Sequence, residues 1–336
     1  MNSTENKRPE DSDELFESLF ANAATRRKAP ADEEDRIRGQ LHTQWQEMIG
    51  ARRRRRWVTG LAIAASFAMV VLISTGIFNR SGAPVMPTML ATVDKVDGRV
   101  MVVLSDGTTQ VVQSEGTLES GSMITTAYNA RLAVSWTAGE SIRLDENTRL
   151  RLISASEIEL LNGRVYVDSH ADRLLSPAKN TLSIDTAFGR VRHIGTQYMT
   201  SLTHDQVAVS VRQGSVLVLG EDTESIAKPG QQLSISSGGD VSFTSIQSYG
   251  ENWQWVEAIS PGFALDGRSL ADFLAWVASE SGYSLSYASA VAESLAVDTV
   301  MRGTVNLEPM RALEVMLQTS DLVAKVENGE ISVDTQ

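Results

Sequence analysis

The spacing of apolar residues changes character several times along this chain. Leu15, Phe16, Leu19 and Phe20 recur at helical spacing, as do Ile37, Leu41, Trp45 and Met48 or Ile49 after a polar break around Pro30. Each set lays an apolar stripe on one face of a short helix. From Trp57 to Phe78 the chain runs 22 residues without a charged side chain. A helix needs about 20 apolar residues to cross a bilayer, and a lone span must be helical because lipid offers the backbone no partners. Trp57 and Phe78 suit the two interfaces. Residues 79–90 read as a linker, with Gly82, Pro84 and Pro87 as breakers. Beyond it the period drops to two. Leu132, Val134 and Trp136 alternate with polar residues, as do Leu150 and Leu152, Leu182 and Ile184, Val207, Val209 and Val211, and Leu233 and Ile235. That is the pattern of strands with one buried face.

A unit of the form apolar-x-Gly-x-Val-x-Val recurs at Val96–Val102, Leu161–Val167 and, as Arg212-Gln-Gly214-Ser-Val-Leu-Val218, after Val211. Asp97-Gly98 and Asn162-Gly163 between alternating runs signal type I′ hairpin turns, which need positive φ at both central residues. The copies are irregularly spaced, which excludes a strict solenoid. Residues 91–247 are therefore expected to form one all-β, hairpin-rich domain.

Near residue 260 the pattern changes again. Ser269 and Asp272 have the spacing of a capping box opening a helix, with Leu270, Phe273, Leu274 and Val277 as its buried face and Gly282 as its end. Strands are expected around Ser284–Tyr287 and Val297–Val305. Pro309 opens a second helix lined by Met310, Leu313, Met316 and Leu317, and Asn328-Gly329 turns a final hairpin. The expected order, β-α-β-β-α-β-β, describes a small α+β domain over residues 262–336. The fold class is thus mainly β. A helical segment (1–56), one membrane helix (57–78) and two folded domains follow one another.

Charge orients this arrangement. Residues 1–56 hold 12 basic and 11 acidic side chains, and the remainder holds 18 and 31. An acidic outer part argues against direct nucleic-acid binding, which needs a basic surface. Five arginines, Arg52, Arg53, Arg54, Arg55 and Arg56, abut the start of the span, and only Arg80 lies close after its end. The positive-inside rule places the N-terminus in the cytoplasm and the C-terminus outside. Two short helices cannot build a core. The stripes bearing Leu15, Phe16, Leu19, Ile37, Leu41 and Trp45 therefore either dock a cytoplasmic partner or pack on each other or on lipid headgroups.

Catalytic chemistry has little to stand on. The chain has no cysteine, which removes thiol chemistry and Cys-ligated zinc. His42, His170, His193 and His204 show no metal-ligand spacing, and no nucleophile elbow or phosphate loop is present. Asp145 and Glu146 beside a turn are expected to be solvated. No enzyme activity, cofactor or metal is expected.

Several motifs occur in an ordered set: Glu159-Leu-Leu-Asn-Gly163-Arg-Val-Tyr-Val167, Ile184–Gly189 leading to Ile194-Gly195-Thr196-Gln197-Tyr198, Val209–Val218, and Ala227-Lys-Pro-Gly230-Gln231. The set resembles the FecR domain. Phe263–Leu270, Gly282–Tyr287 and Pro309–Leu317 resemble the small signalling domain at the N-termini of secretins and TonB-dependent transducers, the STN domain. The resemblance implies a Gram-negative inner-membrane regulator, anti-sigma-like, of an extracytoplasmic-function sigma factor, of the kind tied to iron-transport regulation. Its cytoplasmic segment would hold the sigma factor. Its periplasmic part would receive a signal from a TonB-dependent outer-membrane receptor. A membrane-anchored periplasmic scaffold for envelope components is the alternative. The resemblance also places Gly195-Thr196 where several members are cut without a protease, by attack of the Thr196 hydroxyl on the Gly195 carbonyl with His193 as a candidate base. The other reading of these residues is a bulge at Gly195 and an ordinary strand position at Thr196.

Overall fold

The computed structural model describes residues 87–169, 182–221 and 223–336. The expected docking stripes, the arginine run and the span lie outside the described residues. Among the described residues, no helix is long and apolar enough to cross a membrane.

Fifteen strands share one hydrogen-bonded network. They are β1 (Met89–Asp97), β2 (Val100–Val103), β3 (Thr109–Val111), β4 (Thr117–Glu119), β5 (Met123–Thr126), β6 (Arg131–Trp136), β7 (Ser141–Leu144), β8 (Arg149–Ser154), β9 (Glu157–Asp168), β10 (Ser183–Thr186), β11 (Gly189–Leu202), β12 (Gln206–Leu219), β13 (Glu224–Ala227), β14 (Gln231–Ser236) and β15 (Val241–Ser245). The main path runs β15-β14-β12-β11-β10-β9-β7-β6-β1-β4, and β2, β3, β5, β8 and β13 branch from it. Alternation sends Leu132 and Val134, Leu150 and Leu152, Val165 and Val167, and Val207, Val209 and Val211 into one core. Removal of this apolar surface from water is the main driving force for the fold.

The recurring glycines are not hairpin turns. β1 and β2, which flank Gly98, do not pair with each other: β1 pairs with β4 and β6, and β2 with β3 and β5. Gly163 and Gly214 lie inside long strands, at φ +96° and +78°. Each marks a corner where a strand changes partners. Before Gly163, β9 pairs with β8; from Gly163 onward it pairs with β11, and from Val165 with β7. β12 pairs with β14 up to Val211 and with β13 from Val216. A side chain at Gly163 would collide with Thr148, so both the backbone angle and the available space require glycine. Hairpins do occur elsewhere, at Ala187-Phe188 between β10 and β11 and at Thr203–Asp205 between β11 and β12.

A second core gathers Phe263, Leu270, Phe273, Leu274, Val277, Leu313, Ile331 and Val333. Its elements are β16 (Phe263–Ala264), α2 (Leu270–Ser281), β17 (Ser284–Tyr287), α3 (Ala290–Asp298), β18 (Thr304–Val305), α4 (Pro309–Leu317), β19 (Leu322–Glu327) and β20 (Glu330–Thr335). A short helix, α1 (Gln254–Ala258), precedes them. The Ser269–Asp272 capping box forms reciprocally, and Gly282 closes α2 in the left-handed region at φ +76°. Asn328 and Gly329 have φ +50° and +80° between paired strands, as a type I′ turn demands. The strand expected at Val297–Val305 is a correction. The chain there is helical through Asp298, and only Thr304–Val305 is strand. Ser289 caps this helix by accepting from the Ala292 amide, and Ala292 and Ala296 bury one face. Packing at that spacing overrides the strand preference of Val297.

Candidate functional site

The two cores meet along a seam that belongs to neither. Residues Val85–Gln336 form one compact unit. A third apolar cluster, Tyr166, Met199, Trp253, Trp255 and Val256, lies between the cores. It exists because β7 and β9 are buried on both faces. Ile142 and Leu144 point into the β core, so Arg143 points outward, opposite Tyr166 in the ladder. A turn at Glu251–Trp253 and helix α1 then lay Trp253 and Trp255 over this outer face.

Two guanidinium groups occupy the seam, each side chain 1% exposed. Arg143 is paired with Glu280 of α2: Nη2 donates to Oε1 at 2.9 Å, Nη1 lies 2.7 Å from Oε2 in ion-pair contact, and Nη1 donates to the Val256 carbonyl at 3.0 Å. Arg212 of β12 donates to the carbonyls of Glu280 at 2.8 Å and Ser281 at 3.3 Å. These are carbonyls at the C-terminal end of α2, where the helix leaves acceptors unpaired and its dipole is negative. The Arg212 guanidinium lies 4.4 Å from the Trp253 ring centre, and Arg143 lies 5.2 Å from that of Tyr166. Gln197 of β11 donates to Asp168 at 2.8 Å and to Ser279 of α2 at 3.0 Å. Lys95 of β1 donates to the carbonyls of Ala258 and Ser260.

Electrostatics follow from this burial. Burial is the largest influence on Arg143 and would lower its pKa, but Glu280, Tyr166 and Asp168 together outweigh it and the net shift is upward. For Arg212 burial wins and the shift is downward. Burial raises Tyr166. Glu257 of α1 is pushed up to about 7, chiefly by burial, with Arg212 at 3.9 Å pulling the other way. The seam can therefore hold the two cores in one relative geometry through charge-assisted bonds.

Gly195-Thr196 lies in β11 immediately before Gln197, whose side chain reaches α2. The β11–β12 register shifts between Ile194 and Gln197, and Gly195 has φ +62°. The bulge changes the phase of the strand: His193 and Tyr198, five positions apart, stack at 5.7 Å instead of facing opposite ways. Thr196 is fully buried. Its amide donates to Ser169 Oγ at 2.6 Å, its carbonyl accepts from Ser169, and its own hydroxyl has no hydrogen-bond partner. The buried Glu140 carboxylate and the Tyr198 hydroxyl also lack partners, and burial raises both pKa values.

Asp145 is not solvated, contrary to expectation. It is fully buried between Arg131 at 3.0 Å and Arg164. Glu146 accepts from the Asn129 amide, and His204 is exposed. Among the described residues, no group of acidic and histidine side chains is arranged to hold a metal. Reading the sequence missed Arg143, Tyr166, Arg212, Trp253, Glu257 and Glu280. One signal was available: Trp253 and Trp255 sit two residues apart in a chain with six tryptophans.

No curated protein matches the chain. Among solved structures, two crystal structures of a presumed anti-sigma factor from Parabacteroides distasonis ATCC 8503, at 1.65 and 2.50 Å, align with 13% identity and a TM-score of 0.34. They cover 64% of this chain and 99% and 98% of theirs. A cell surface anchoring domain aligns with 15% identity and a TM-score of 0.19, over 20% of this chain and 87% of its own. Scores this low carry no structural argument. The family model described as FecR protein matches residues 122–217, a span that runs from the start of β5 into β12 and contains Arg143, Gly163, Gly195-Thr196, Arg212 and Gly214. Over this segment the chain is similar to the FecR family.

Proposed function

We propose that this chain is a single-pass regulator of an extracytoplasmic-function sigma factor in a bacterial inner membrane, with its N-terminus in the cytoplasm and its FecR domain outside. The observation that carries this reading is the FecR match over residues 122–217. The uncharged run Trp57–Phe78 behind Arg52–Arg56 supports the topology. The stripes with Leu15, Phe16, Leu19, Ile37, Leu41 and Trp45 are the surface for the sigma factor. The C-terminal domain, STN-like in sequence, receives the signal, with a TonB-dependent outer-membrane receptor as the candidate source. The test is co-purification of residues 1–56 with extracytoplasmic-function sigma factors of the source bacterium. Capture by the parent, lost in Leu41→Ala and Trp45→Ala, supports the reading, since buried aromatic anchors dominate such interfaces. Capture that survives both changes rejects the assigned surface, and a parent that captures nothing rejects the reading.

Scission of the Gly195–Thr196 bond belongs to the same proposal. Thr196 Oγ adds to the Gly195 carbonyl carbon and the C–N bond breaks. The hydroxyl proton ends on the Thr196 nitrogen, which leaves an ester and a free amine. Water then hydrolyses the ester to a Gly195 carboxylate and restores the hydroxyl. The buried Thr196 hydroxyl, which has no hydrogen-bond partner and follows the strand irregularity at Gly195, supports this chemistry. A denaturing blot with tags at both ends tests it. Two fragments that vanish in Thr196→Ala are expected, and an uncut parent rejects scission.

A further inference from the structure

The Gly195–Thr196 peptide has unlike surroundings on its two sides. A trans peptide points its carbonyl and its N–H in opposite directions. On the carbonyl side lies Gly214 of β12, where any side chain would collide with the Gly195 carbonyl and the Thr196 methyl. On the N–H side lies Ser169, the residue that follows β9, and its Oγ accepts from the Thr196 amide at 2.6 Å. Ser169 also holds the Thr196 carbonyl, which takes its amide at 3.0 Å and its hydroxyl at 3.1 Å. One position on, Gln197 is tied to Asp168 at 2.8 Å, so this contact sits beside a fixed row of the β9–β11 ladder. Gly195 is exposed, Thr196 fully buried and Ser169 half-buried.

Scission asks something of this nitrogen that an intact strand does not. Once Thr196 Oγ has added to the Gly195 carbonyl carbon, oxygen and nitrogen share that carbon, and direct proton transfer between them would pass through a small, strained ring. A hydroxyl beside the nitrogen avoids that strain, because it can give one proton and accept another. Building on the scission reading above, we propose that Ser169 is the proton donor to the departing Thr196 nitrogen. Addition turns the nitrogen from a planar amide into an amine with a lone pair. Ser169 swings its hydroxyl hydrogen from the Thr196 carbonyl to that nitrogen, and the C–N bond breaks. The proton lost by Thr196 Oγ restores the Ser169 hydroxyl, so the serine is unchanged and the net transfer runs from Oγ to nitrogen. The Ser169 amide keeps the Thr196 carbonyl throughout and so holds the new amine in place. Water reaches the ester from the exposed Gly195 side and hydrolyses it.

The experiment uses the full-length protein with a tag at each end, made by brief cell-free synthesis into detergent micelles and moved to buffers from pH 5 to pH 8. Denaturing gels follow the fragments. The parent is expected to be cut and Thr196→Ala to stay whole. Ser169→Ala is expected to be cut more slowly than the parent by about a hundredfold or more at pH 8, the usual effect of a positioned proton donor. That gap is expected to narrow toward pH 5, as hydronium ion replaces the missing donor. A hydrogen bond that only steadied the strand would slow cutting by the same factor at every pH. Ser169→Thr, which keeps the hydroxyl, is expected to be cut. A Ser169→Ala protein cut at the parent's rate, or slowed equally at every pH, overturns the donor role and leaves scission standing. A parent that stays whole overturns scission and the donor role with it.

Discussion

Removing the Glu280 carboxylate strands a guanidinium inside the molecule. Arg143 is 1% exposed and Glu280 12% exposed; Arg143 donates to Glu280 Oε1, and Oε2 lies in ion-pair contact with Nη1. After Glu280→Ala, Arg143 keeps only the Val256 carbonyl and its edge against Tyr166. Breaking a buried pair in this way costs about 3–5 kcal/mol, because the remaining charge stays desolvated. Replacing both partners with apolar residues, as in Arg143→Met with Glu280→Leu, removes that charge and should recover most of the loss. An exposed control sits in the same domain: Arg311 and Glu314 are 70% and 68% exposed, and Glu314→Ala should cost below about 1 kcal/mol. Urea unfolding of the full-length protein reads all three. With slopes of about 1–3 kcal/mol per molar, the Glu280→Ala midpoint should fall by at least about 1 M. A Glu280→Ala midpoint no lower than that of Glu314→Ala would refute the claim that the pair is buried and load-carrying. A double variant no better than Glu280→Ala would refute the account of why.

Three other outcomes are expected. Glu140→Gln should stabilise the β domain at pH 7, since both carboxylate oxygens are buried without partners; burial raises its pKa, so the parent should gain stability as pH falls toward the ordinary 4.5 and the variant should not. Calorimetry at pH 5 and 7 checks this. Gly214→Ala should lower the melting temperature, because φ is +78° and the new Cβ would press on the Gly195 carbonyl and the Thr196 methyl. Deleting residues 262–336 should leave an unstable remnant, since Arg143 loses Glu280 and Arg212 loses both its α2 carbonyls; resistance to limited proteolysis equal to the parent's would contradict that.

How far the sequence was legible depended on the distance over which the determining contacts act. The Ser269–Asp272 box, Gly282 and Asn328-Gly329 are each decided within a few residues, and all behave as their local chemistry demands. Positive φ at Gly98, Gly163 and Gly214 is just as local, but a tight turn and a strand corner ask the same of the backbone. Which one forms depends on strands far away in sequence. The seam was hidden for the same reason: Arg143 and Glu280 are 137 positions apart, and Arg212 and Glu280 are 68 apart. Asp145 read as a surface acid because its neighbours form a turn, while its cations arrive from β6 and β9. Val297 fell to a helix because alanines at two spaced positions found a core.

The position of β11 decides what a break in it would do. Residues 190–194 of this strand are zipped to β12 on one side, and residues 190–192 to β10 on the other. Residues 197–202 are zipped to β12 and β9. A chain nicked between Gly195 and Thr196 would keep both half-strands in their ladders, with the two polypeptides sharing one core as complementary halves. Native sedimentation would record a single particle and only a denaturing gel would record two. The halves would part under a pull along the strand, which peels hydrogen bonds in succession, far more readily than by simple dissociation. A nick at this point would turn a continuous tether into one with a mechanical breaking point.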